Sequence, residues 1–234
     1  MASTRVVRLA VFASMLAVAG VAQAQLYWRA DLGASFSTSA DIQDNNFPVD
    51  QGICGNPACT TPGQIKDVGT SGILSGGVGW RFSPNLRVDG TLSYRGQYNI
   101  SETMPDATTF KADVHSWNIM ANGYYDFALT WGKPYVGVGI GWAQNRVDDV
   151  SITNSGITLV KHGGTSSGFT WAVMAGVGVP ISPRLTLDFS VRYTDLGKIQ
   201  IDPGGLALGG VPVGVYGGAN GKLTAWEVTV GLRF

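Results

Sequence analysis

Hydrophobic and polar residues alternate with a period of two along most of the chain. In residues 26–36, Leu26, Trp28, Ala30, Leu32, Ala34 and Phe36 occupy even positions, while Arg29, Asp31, Gly33 and Ser35 occupy odd ones. Successive side chains of a strand point to opposite faces, so this pattern predicts a β-strand with one apolar face. The pattern recurs in residues 73–82, where Leu74, Val78, Trp80 and Phe82 oppose Ser75, Gly77, Gly79 and Arg81. In residues 86–95, Leu86, Val88, Leu92 and Tyr94 oppose Arg87, Asp89, Thr91, Ser93 and Arg95. In residues 114–127, Trp117, Ile119, Ala121, Tyr125 and Phe127 oppose Ser116, Asn118, Asn122 and Asp126.

Four more segments follow. Residues 135–144 set Val136, Val138, Ile140 and Trp142 against Gly137, Gly139 and Gly141. Residues 169–179 set Trp171, Val173, Ala175, Val177 and Val179 against Met174, Gly176 and Gly178. Residues 185–193 set Leu185, Leu187, Phe189, Val191 and Tyr193 against Thr186, Asp188, Ser190 and Arg192. Residues 223–234 set Trp226, Val228, Val230, Leu232 and Phe234 against Glu227, Thr229, Gly231 and Arg233. Each segment is close to the ~9–11 residues that a tilted strand needs to span a bilayer.

The connections alternate between short (83–85, 128–133, 180–184) and long (37–71, 96–113, 145–168, 194–222). Short periplasmic turns and long external loops are the rule for barrels of the bacterial outer membrane. Tracing the strands up and down sorts the outward aromatics into two belts. Trp28, Trp80, Phe82, Tyr125, Phe127 and Phe234 fall at the periplasmic end; Phe36, Tyr94, Trp117, Trp142, Trp171 and Tyr193 fall at the outer end, with Trp226 near them. Six of the seven Trp residues lie on the apolar face, and Trp131 lies in a turn. A soluble sandwich has no reason to build two belts, and its apolar face would need a second sheet as cover. The expected fold is all-β: an eight-stranded antiparallel up-and-down transmembrane β-barrel.

The opposite face carries Arg29, Arg81, Arg87, Arg95, Arg192 and Arg233, with Asp31, Asp89, Asp126, Asp188 and Glu227. Eight strands enclose a bore just wide enough for side chains to fill. Buried charges must be paired or they cost about several kcal/mol each. The reading favoured here is therefore an ion-pair core that plugs the lumen, with the pairing left open. The rival reading is a polar pore. Inward glycines at 137, 139, 141, 176 and 178 leave room for a local cavity beside the fifth and sixth strands, which keeps a narrow pathway in play. On this reading a Gly137→Ser change is mild.

The N-terminus predicts export. Arg5 and Arg8 precede an apolar run at residues 9–21, and Ala22-Gln23-Ala24 supplies a small-x-small cleavage site. The run is short of the about 20 residues of a spanning helix. Residues 1–24 are thus expected to be a signal peptide and residues 25–234 the barrel domain. Losing Arg5 and Arg8 from a chain of 16 basic and 16 acidic residues leaves a mild acidic excess, which gives no footprint for nucleic acid.

Candidate chemistry is sparse. Gly137-Val138-Gly139-Ile140-Gly141 resembles a phosphate loop, but its third glycine is misplaced and no helix is expected after it. His115 and Ser116 are adjacent in a strand and face apart. His162 falls in a Gly/Ser-rich loop, and no nucleophile, base and acid converge. No enzyme activity and no cofactor or metal is expected. Cys54 and Cys59, the only cysteines, are too few for a zinc site. Close together in an exported loop, they are expected to form a disulfide.

Residues 134–141, Arg192-Tyr193-Thr194-Asp195-Leu196-Gly197, and Trp226-Glu227-Val228-Thr229-Val230-Gly231-Leu232-Arg233-Phe234 resemble the small outer-membrane barrels of alphaproteobacterial surface antigens, related to opacity-type and OmpA-like barrels. The last stretch resembles the signal read by the barrel-assembly machinery, with Trp226, Val228, Val230, Leu232 and Phe234 as its apolar face. The resemblance implies a surface structure with roles in envelope integrity and contact with outer-membrane lipid, lipopolysaccharide and host or surface ligands. Unlike two-domain OmpA-like proteins, the chain is expected to end at the barrel. The two functions carried forward are a structural surface barrel with four long external loops and a narrow porin-like channel for small solutes.

Overall fold

A bilayer offers no water to backbone N–H and C=O groups, so a sheet that crosses it must close on itself. The computed structural model shows that closure. It describes residues 25–40, 43–44, 69–103, 109–130, 132–154, 157–161, 163–201, 204–208, 211–216 and 219–234. Its strands are β1 (Gln25–Ala40), β2 (Gln43–Asp44), β3 (Thr70–Arg81), β4 (Leu86–Thr103), β5 (Thr109–Asp126), β6 (Lys133–Val147), β7 (Val150–Asn154), β8 (Ile157–Lys161), β9 (Thr165–Ser182), β10 (Leu185–Ile201), β11 (Gly204–Leu208), β12 (Val211–Tyr216) and β13 (Ala219–Arg233). Eight of them form an antiparallel ring in the order β1-β3-β4-β5-β6-β9-β10-β13, and β13 pairs back with β1. The final residue extends the seam: Trp28 and Phe234 exchange both backbone hydrogen bonds, at 2.7 and 3.0 Å.

Burial is inverted relative to a soluble protein. Leu74 is 64 % and Val138 63 % exposed on the outer face, whereas Arg95 and Glu227 are fully buried inside. The turn at Ser83-Pro84-Asn85 is closed by the Ser83 hydroxyl, which accepts from the Asn85 and Leu86 amides at 3.3 and 3.0 Å. Asn85 Nδ2 also donates to the Asp126 carbonyl at 2.8 Å, tying this turn to the end of β5.

Two expectations about the connections need correction. The barrel strands are longer than the alternation indicated: β4, β5 and β9 each have 18 residues. Moreover, segments expected to be open loops contain paired strands. β7 and β8 form an antiparallel pair that continues from β5, and β11 and β12 form a second pair attached to β8. Their runs are only five or six residues long, well short of a membrane-spanning strand, so the alternation does not set them apart from the loops around them. They form because the barrel strands already present a backbone to pair with.

One bulge redirects side chains near the outer end of β10. The register shifts between Asp195 and Gly197, and Gly197 adopts φ = 80°, a left-handed conformation natural to glycine. The shift sends Lys198 outward and Ile199 inward. Asp195 fixes the bulge from the outer face, accepting from the Gly197 amide and Trp171 Nε1, each at 3.0 Å, and from Lys222 Nζ at 2.8 Å.

Candidate functional site

The candidate site is the barrel interior, which has four levels. At the periplasmic level Asp89 is the hub. One of its oxygens accepts from Arg29 Nη1 at 3.0 Å and the Tyr27 hydroxyl at 3.1 Å; the other accepts from Asn122 Nδ2 at 2.8 Å and the Tyr124 hydroxyl at 3.2 Å. Arg87 Nη1 lies 3.9 Å away. Arg29 also grips Asp31 with two parallel hydrogen bonds of 2.8 and 2.9 Å, the bidentate geometry a guanidinium favours. Arg87 Nε reaches both oxygens of Asp126 at 3.0 and 3.2 Å, and its guanidinium lies 3.7 and 4.4 Å from the ring centres of Tyr124 and Tyr135. Asp188 is met by Arg233 Nε at 2.8 Å and by the Tyr135 hydroxyl.

The second level is packed by Met120, Tyr124, Tyr135, Ala172 and Met174. Above it stands Glu227, which accepts from Arg95 Nε at 2.6 Å, Thr194 Oγ1 at 3.1 Å and Ser35 Oγ at 3.3 Å. Arg192 Nε is 3.9 Å from Glu227 and has no hydrogen-bond partner among the described residues. The outermost level is apolar. Tyr98, Val114 and Val147 are cross-strand neighbours on β4, β5 and β6, and all three are buried; so are Leu196, Ile199, Leu223 and Ala225.

Every interior charge named from the sequence faces the lumen. Ten of these eleven side chains are buried, while Arg81 is half-buried at the periplasmic mouth, with no carboxylate within 4 Å among the described residues. Trp226, Val228, Val230, Leu232 and Phe234 form the outward row of β13. His115 and Ser116 do face apart. His115 Nε2 lies 3.1 Å from Asp148 on the outer face, while Ser116 donates inward to Asn145 at 2.7 Å. Cys54, Cys59, Trp131 and His162 lie outside the described residues.

The expected cavity beside the inward glycines is not there. A methyl group at Gly137 would sit 2.6 Å from Tyr124 Cδ1, and one at Gly176 2.5 Å from Tyr135 Cζ. At Gly139 it would collide with Asn122, at Gly141 with the backbone of Ile119, and at Gly178 with the Arg233 guanidinium. The glycines are spaces occupied by neighbours, so the mild Gly137→Ser expectation also falls. Sequence reading missed these inward tyrosines. A signal existed: Tyr27, Tyr124 and Tyr135 each stand directly across from a glycine, Gly79, Gly137 and Gly176 respectively.

A family model described as "Outer membrane protein beta-barrel domain" matches residues 8–234. A protein of Gluconacetobacter diazotrophicus named "Outer membrane protein" is 31% identical over 183 residues, covering 74% of this chain and 47% of its own length. Outer membrane protein PagN of Salmonella typhimurium is 26% identical over 147 residues, covering 56% and 61%. The chain thus spans about half the length of the first of these relatives. Among solved structures, Neisserial surface protein A superposes with a TM-score of 0.50 at 18% identity, covering 90% of this chain and 97% of that one.

Proposed function

Because the chain belongs to the outer membrane protein β-barrel domain family and resides in the bacterial outer membrane, we propose that it is a structural surface barrel with a closed lumen. It holds its long external segments outside the cell and contributes to envelope integrity. The observation that carries this reading is the filling of the lumen at four successive levels: ion pairs around Asp89, packed Met and Tyr side chains, the Glu227 cluster, and an apolar layer at the outer end. The role requires no catalysis. Its partners are outer-membrane lipid and lipopolysaccharide against the aromatic belts, and host or surface ligands at the external segments. During biogenesis the outward row of β13 ending in Phe234 is the surface offered to the barrel-assembly machinery. The narrow-channel alternative loses its main support once the inward glycines are occupied.

An epitope inserted between Asp50 and Gln51 tests the display role. Antibody should bind it on intact cells. Binding only after the outer membrane is permeabilised would refute surface display. Deleting the gene should sensitise cells to detergent, and unchanged sensitivity would remove the envelope role.

A further inference from the structure

At the periplasmic end four guanidiniums (Arg29, Arg81, Arg87, Arg233) match four carboxylates (Asp31, Asp89, Asp126, Asp188) in number but not in contact, and Arg81 has no carboxylate within 4 Å among the described residues. Arg81 of β3 stands beside Arg87 of β4, and the guanidiniums of Arg87 and Arg233 lie 4.4 and 6.0 Å from the Tyr135 ring centre, with Asp89, Asp126 and Asp188 as the acids that Arg87 and Arg233 meet. Arg87 takes Asp126 through Nε, and Arg233 takes Asp188. Arg81 sits directly across the β3–β4 pair from Arg87. Like charges at directly opposed strand positions destabilise a sheet. The mismatch also shows in the hydrogen bonds. Arg81 Nε, Arg87 Nη2 and Arg233 Nη1 are buried donors without a partner among the described residues. The Arg87 and Arg233 side chains are only 0 % and 4% exposed, so bulk solvent does not reach them.

Unmade hydrogen bonds from buried charged donors are destabilising. Water would satisfy these N–H groups one at a time. A small oxyanion accepts from several at once and meets the charge of Arg81, because guanidinium forks match its oxygens in pairs. We propose that Arg81, Arg87 and Arg233 form a binding site for a phosphate-class oxyanion, entered from the periplasm. Arg81, half-buried and without a carboxylate within 4 Å among the described residues, is the arm that closes on the ligand. Asp126 and Asp188 keep Arg87 and Arg233 oriented, and their own charge limits the site to weak, exchangeable binding. The site lies at the mouth, so it stands whether or not the barrel conducts.

The test uses the folded chain in detergent micelles at fixed ionic strength. Inorganic phosphate is titrated and followed by ³¹P line broadening, with urea unfolding alongside. Wild type should show saturable broadening, displaced by sulfate, and a higher urea midpoint in phosphate than in matched chloride. Arg81→Gln should weaken binding at least tenfold and abolish the midpoint difference, while Arg81→Lys retains part of both. A short-chain phosphatidic acid run in parallel separates the two sources of the group: tighter saturation by the lipid assigns the site to a headgroup, tighter saturation by phosphate to a soluble anion. Equal midpoints in phosphate and chloride would overturn the proposal, as would wild-type binding by Arg81→Gln.

Discussion

Replacing Asp89 with alanine should be the most damaging single loss of charge in the lower lumen. Asp89 accepts four hydrogen bonds, from Arg29, Tyr27, Asn122 and Tyr124. Removing one partner of a buried ion pair costs about 3–5 kcal/mol, because the other charge remains buried. Arg29 keeps Asp31 and Arg87 keeps Asp126, which offsets part of that loss. Asn122 Nδ2 keeps Thr91 Oγ1 at 3.0 Å and the Tyr27 hydroxyl keeps the Val88 carbonyl at 3.4 Å, so the Tyr124 hydroxyl is the donor left stranded, at about 1–3 kcal/mol. The net expectation is about 3 kcal/mol, at the lower end of the range for a broken pair because most of the groups keep a second partner. Asp31→Ala is the internal comparison. Among the described residues Asp31 serves only Arg29, and Arg29 retains Asp89, so its loss should be clearly smaller. The assay is urea-dependent unfolding from phospholipid vesicles, read by tryptophan fluorescence and by heat-modifiable gel mobility. If Asp89→Ala lowered stability by under about 1 kcal/mol, water would be replacing the carboxylate, and the dry, packed lumen would be refuted. Equal losses at Asp31 and Asp89 would refute the hub.

Three further outcomes follow. Val138→Arg, on the lipid face, should cost about 2–4 kcal/mol near the bilayer midplane, and full folding into vesicles would contradict the inward/outward assignment. Gly137→Ser should be damaging, by about 1–3 kcal/mol, since the new side chain meets Tyr124, and Tyr124→Ala in the same chain should recover part of the loss. Cys54 and Cys59 should be oxidised in protein isolated from the outer membrane, so intact mass should rise on reduction and alkylation only; alkylation without prior reduction would contradict the bridge.

The barrel was legible because period-two alternation is local and because a bilayer demands apolar residues outside. Arg29, Asp31, Arg87 and Asp89 could be placed in the lumen by parity alone. Their pairing could not, since Arg95 meets Glu227 from 132 residues away and that contact depends on the register of every intervening strand. The inward tyrosines were hidden for a related reason. Tyr124 reads as one more aromatic until its strand partner, Gly137, is known. Parity also failed at the Asp195–Gly197 bulge, where one extra residue sends Lys198 outward and Ile199 inward. The strand pairs β7–β8 and β11–β12 are only five or six residues per strand, too short to read as spanning strands, and they extend the sheet the barrel provides.

Single-channel recording in planar bilayers tests the closed lumen most directly. With Glu227 held by Arg95 and the outer end lined by buried apolar side chains, purified wild-type protein should show no steady conductance. Glu227→Ala leaves two buried guanidiniums without their acid and should introduce brief, irregular openings. Stable, ohmic wild-type channels would contradict the account and identify the protein as a pore.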